Sequence, residues 1–105
     1  MHVAAVAFDL HIPDARSLKA KRSVVKPIVE GLQRRYRVAA AEVAHHQQWQ
    51  RTVVGVSTVG ATAGHVGDVL DEVERFVWSH PEIQVLSASR TWLDPDPDEE
   101  GRDRA

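Results

Sequence analysis

The spacing of apolar residues changes period along this chain in an order that few folds can satisfy. Ala4, Val6, Phe8, Leu10 and Ile12 alternate with smaller or more polar neighbours, the signature of a strand with one buried face. Leu18, Val25, Ile28, Val29, Leu32 and Tyr36 then recur on one side of a 3.6-residue spiral, so Leu18–Tyr36 reads as an amphipathic helix, with Asp14 or Ser17 as its cap. Pro27 removes a ladder bond inside it and Gly31 weakens it, which predicts a kink or a helix that begins only near Ser23. Residues 38–45, rich in alanine, and residues 51–59 read as two strands around a polar turn. Val66, Val69, Leu70, Val73, Phe76 and Val77 give a second helix over residues 65–79, with Thr62 as candidate cap and Pro81 as its stop, and residues 83–93 form a last strand.

The order strand, helix, strand, strand, helix, strand predicts two split βαβ units with right-handed crossovers. The expected architecture is an α+β, ferredoxin-like βαββαβ sandwich: a four-stranded antiparallel sheet, order 4-1-3-2, with two helices on one face. The other sheet face then carries Val3, Ala5, Ala7, Asp9 and His11 from the first strand. A contiguous set of small apolar groups facing water points to a covered surface. A homodimer through this open face is the simplest cover, with Ala5, Ala7, His11, Glu42 and Trp49 as candidate interface residues; a ligand or a partner protein is the alternative.

Charge is distributed unevenly. Eight of the 13 Lys and Arg residues fall between Arg16 and Arg37, and the helix opens on cations where its dipole favours acids. This marks an anion surface, with phosphate as the expected anion and Lys19, Lys21, Arg22, Lys26 and Arg34 as candidate nucleic-acid contacts, joined by Arg51. Residues 1–93 carry 11 basic and 9 acidic side chains, whereas residues 94–105 carry 2 basic and 6 acidic. Residues 1–93 are therefore expected to be one domain and residues 94–105 a disordered acidic tail, either solvated or folded back on the basic helix.

Composition excludes several classes of function. The chain has no cysteine, which removes disulfides, thiolate metal sites and cysteine nucleophiles. No cationic and apolar leader and no bilayer-length apolar run are present, so the expectation is a cytoplasmic protein without a membrane association. His45 and His46 are adjacent on a strand end and project to opposite faces; with His11 they make a poor metal set, and no metal or cofactor is expected. Asp9 and Glu42 are both expected on the open sheet face, where cross-strand salt bridges to Arg51 or Arg90 outweigh a general acid and base role. The glycines fit no phosphate-cradling loop, and Ser17, Ser23 and Ser57 lack a His-acid pattern, so no catalytic residues are assigned and the protein is expected not to be an enzyme. The strands also lack the aromatic pair with which RNA-recognition sheets stack bases, so RNA contact would run through helix and phosphate.

Three strings carry a resemblance: Ser17-Leu18-Lys19-x-Lys21-Arg22-x-Val24-Val25-Lys26, then Val38-x-x-Ala41-Glu42-Val43, then Trp49-Gln50-Arg51. Together they resemble the YlxP-like family of small bacterial proteins, a domain of unknown function, over residues 1–93. The resemblance implies a ferredoxin-like domain whose genes often neighbour those of translation initiation and ribosome maturation factors. It implies ribosomal RNA or a ribosomal subunit as a partner. Members usually carry an acidic residue where this chain has Gln47, so any metal or catalytic role for that acid is lost here. The functional expectation is a non-catalytic, RNA- or ribosome-associated protein that meets phosphate through its first helix. The alternative is a sheet-mediated oligomeric module whose basic helix is merely solvated.

Overall fold

The computed structural model describes residues 1–93; the acidic tail predicted for residues 94–105 lies outside the described residues. The elements are β1 (His2–His11), α1 (Leu18–Tyr36), β2 (Ala39–Ala44), β3 (Arg51–Gly60), α2 (Ala63–Trp78) and β4 (Gln84–Leu93). They build one antiparallel sheet in the order β2-β3-β1-β4, the predicted order read from its other edge. Both helices lie on one face, α1 against β2 and α2 against β1, β3 and β4. No helix among the described residues is long and apolar enough to cross a membrane.

The two periods visible in the sequence meet in the core. Ala4, Val6, Phe8 and Leu10 of β1 and Val54 and Val56 of β3 point at Val25, Ile28 and Leu32 of α1 and at Val66, Leu70, Val73 and Val77 of α2, all of them buried. Each large side chain in this layer contributes about 1.5–3 kcal/mol relative to exposure, which fixes the parity of β1 and β3.

α1 runs in one piece from Leu18 to Tyr36 with Pro27 inside it, so the late start at Ser23 does not occur. Its first turn is fixed by Ser17, whose hydroxyl accepts from the Ala20 amide at 3.0 Å. Pro27 and Ser23 are both exposed, so the Ser23 carbonyl that the ring deprives of a donor faces water instead. The helices are keyed by Phe76: a Cβ placed on Gly31 would lie 2.6 Å from its Cζ. The same ring meets Tyr36 and His80 edge-on, at centroid separations of 5.7 and 4.7 Å, and lies beneath the Arg35 guanidinium at 5.2 Å.

The β2 edge of the sheet is partly closed by the chain itself. Gln33 Nε2 donates to the Ala40 carbonyl at 2.9 Å, and His46 Nε2 lies 3.2 Å from the Glu42 carbonyl oxygen. Capping edge carbonyls in this way removes acceptors on which a foreign strand would pair.

Candidate nucleic-acid interface

The structure divides the predicted cationic set. Lys21 is a correction: its side chain is 2% exposed and cannot reach a polyanion. Its ammonium donates to Glu42 Oε2 at 2.9 Å and to the His45 carbonyl at 2.6 Å. The buried Thr52 hydroxyl donates to the same carboxylate oxygen. His45 takes a left-handed backbone conformation, φ 61°, just beyond the end of β2, and its carbonyl supplies that second acceptor. Burial alone would raise the Glu42 pKa. The hydrogen bonds from Thr52 and Lys21 and the Lys21 charge outweigh it and hold the carboxyl below its ordinary value.

Glu42 is the second correction, because it faces α1 and not the open sheet face. A bulge between Glu42 and Ala44 shifts the β2 register, and Glu42 pairs across from the buried Val54 on the helix side. Arg51 is the third. It stands on the open face, away from α1, and forms a two-pronged bond to Asp9, Nε to Oδ1 and Nη2 to Oδ2, both at 2.8 Å. That hydrogen bond is the main reason the Asp9 pKa is lowered. Arg90, the other cross-strand candidate, reaches α2 instead, bonding Asp71 at 2.7 Å and Glu74 at 2.9 Å.

Histidine chemistry is dispersed. His11 Nδ1 lies 2.9 Å from Gln84 Oε1 on the open face, while His46 serves the β2 edge. Among the described residues no three His, Cys, Asp or Glu side chains converge as metal ligands. Trp49 is exposed on the β2–β3 hairpin and shares a shallow depression of about 490 Å³ with His11, Gln47, Gln48, Gln50 and Arg51.

What remains is a coherent strip on α1. Lys19, Arg22 and Lys26 follow one another at intervals of three and four residues, which places them within about 60° of arc on adjacent turns. Arg34, two turns further on, lies about 80° round the helix from Lys26 on the same exposed side. Among the described residues the strip's acid contact is Glu30, 3.9 Å from Lys26. Arg22 and Lys26 also rim a groove of about 390 Å³ between α1 and β2, floored by Val25 and Val29 with Gln33, Glu30 and the Lys21–Glu42 pair along it. α2 is charged in the opposite sense, with Asp68, Asp71, Glu72 and Glu74 against a single Arg75. The molecule therefore has a basic and an acidic helix side by side.

Residues 3–90 match the family described as "Protein of unknown function (DUF503)". The chain belongs to this family. The DUF503 chain is also 35% identical over 82 residues to "Uncharacterized protein YlxP" of Bacillus subtilis (strain 168), spanning 78% of its own length and 89% of that protein's. The three strings that mark the resemblance to this DUF503 relative are brought together by the fold. Lys21 from the first bonds Glu42 from the second. From the third, Gln50 Nε2 donates to the Pro13 and Ala15 carbonyls, both at 3.2 Å, and Arg51 bonds Asp9. In this DUF503 chain these signature residues pin α1, the hairpin and β1 to one another. Gln50 stands in the third string, but the role of its amide follows only from the hairpin folding back on the β1–α1 connection.

Proposed function

We propose that the protein is a non-catalytic, RNA- or ribosome-associated factor that contacts phosphates with the exposed strip Lys19, Arg22, Lys26 and Arg34 of α1. The observation that carries the reading is the separation of cations into two kinds. Lys21 and Arg51 are neutralised by Glu42 and Asp9, whereas the strip, with eight cations gathered in its segment, meets only the distant Glu30 among the described residues. Side chains held for internal ion pairs would not need this surplus. Lys19, Arg22 and Lys26 lie in the amino half of the helix, where the exposed amides and the positive dipole end add to the attraction for an anion, and Arg34 lies in its last turn.

Ribosomal RNA is the proposed ligand and a ribosomal subunit the proposed partner, in the cytoplasm. Without an aromatic platform on the sheet, binding is to backbone and shape, with little base readout. The test is binding of labelled ribosomal RNA across a salt series. Four phosphate contacts give a slope of log K on log salt of about −3, a loss of roughly 60-fold between about 50 and 200 mM. Replacing Lys19, Arg22 and Lys26 with Ala removes about two units of that slope. Arg75→Ala, which takes one cation from the acidic helix, leaves it unchanged. Equal slopes for the parent and the triple variant would exclude the strip as the contact.

A further inference from the structure

We propose that the open face of the sheet is a homodimer interface, on which the same face of a second copy is seated. The middle of the face is lined by small side chains. The row Ala41, Gly55, Ala7, Ser89 crosses all four strands in register, and the next row carries Ala39, Ser57, Ala5 and Thr91. Side chains this small bring two sheets together at or inside the usual separation of about 10 Å without leaving voids. The rows are flanked by bulkier groups, Val59 and Leu93 at one end, 60% and 64% exposed, and Trp49 beside the other. Val43 leans over Gly55, whose missing side chain makes the space: a Cβ there would meet Val43 Cγ1 at 3.2 Å.

The charges on this face identify the occupant. Among the described residues they are Asp9 and Arg51, adjacent and of opposite sign, so the surface is neutral and gives a polyanion no purchase. A two-fold axis across the face sets each Asp9–Arg51 pair against its own counterpart, a self-complementary arrangement that another class of partner would have to imitate. Three strands of about 33 Å and β2 of about 20 Å, at roughly 4.8 Å spacing, present a footprint of about 570 Å². With the flanking groups it approaches the roughly 800 Å² per partner of a stable complex. Sideways growth is disfavoured at β2, where Gln33 and His46 occupy the Ala40 and Glu42 carbonyls. Stacking face to face leaves both α1 strips on opposite outer surfaces of a four-layer particle.

Light scattering on the eluting full-length chain, free of nucleic acid and at about 50 µM, reads the proposal directly. The expected mass is twice the 11.7 kDa of the chain. Ala7→Glu sets two like charges near the axis and weakens association by at least ~100-fold, giving a monomer. Ser89→Glu, an exposed position on β4, does the same and covers the case in which Ala7→Glu fails to fold, with circular dichroism verifying the fold of each. A monomeric parent overturns the proposal. So does a dimer that survives both substitutions, which would point to pairing along the β4 edge. Because the readout contains no RNA, its failure and the failure of the phosphate reading are separate results.

Discussion

Replacing Glu42 with Gln should destabilise the domain more than its partly exposed position implies. The substitution keeps the size and an acceptor for Thr52 but leaves the Lys21 ammonium, 2% exposed, with the His45 carbonyl and a neutral amide as partners. Removing one member of a buried ion pair costs about 3–5 kcal/mol. Glu42 is itself 22% exposed, so water can approach the site and the expected loss is about 2–4 kcal/mol. For a domain of this size that lowers Tm by roughly 10–25 °C, measurable by calorimetry or by far-UV dichroism on heating. Lys21→Met combined with Glu42→Gln removes both charges and should return to within about 1 kcal/mol of the parent. The parent should also lose stability in acid. The folded-state pKa of Glu42 lies below its ordinary 4.5, so its contribution is complete above that value and fades as pH falls through it toward the folded pKa. Glu42→Gln should lack this part of the acid limb. A Glu42→Gln protein within about 0.5 kcal/mol of the parent, or a double variant as unstable as the single, would refute the reasoning.

Pro27→Ala restores the donor missing from α1 at an exposed position and should raise stability by about 1–3 kcal/mol in urea melts. Gly31→Ala gains up to about 1 kcal/mol of helix propensity but drives a methyl into the Phe76 ring; a net loss of about 1–3 kcal/mol is expected by the same assay. Asp9→Asn should flatten stability against pH below about 3.8, because the Asp9 carboxyl, held down chiefly by its Arg51 hydrogen bond, stabilises the fold above its ordinary pKa and ceases to do so as pH falls through the folded value.

The fold was legible because its signals are large and local. Alternation in β1 and the 3.6-residue stripes of α1 and α2 each select one buried face, and the element order leaves little freedom of topology. β2 was legible as a strand but not in its parity. Ala39, Ala40, Ala41 and Ala44 bury too little surface to show which side faces the helices, so Glu42 was assigned to the wrong one. Lys21 is hidden for a related reason. It lies about 40° from Val25 on the helix spiral, inside the apolar stripe, and its charge was read ahead of its position. A lysine at that angle requires an internal acid, and Glu42 was the available partner. The Asp9–Arg51 pair is the cross-strand salt bridge that the sequence predicts from opposite charges at neighbouring positions on adjacent strands.

Phe76, wedged against the bare backbone of Gly31, leaves α1 no room to rock or slide on α2. A ligand arriving at the outer side of α1 therefore encounters a stiff rod whose tilt was settled when the chain folded. Adaptation to an irregular surface falls to the long alkyl stems of Lys19, Arg22 and Lys26, and the entropic penalty of docking is confined to a few side-chain torsions.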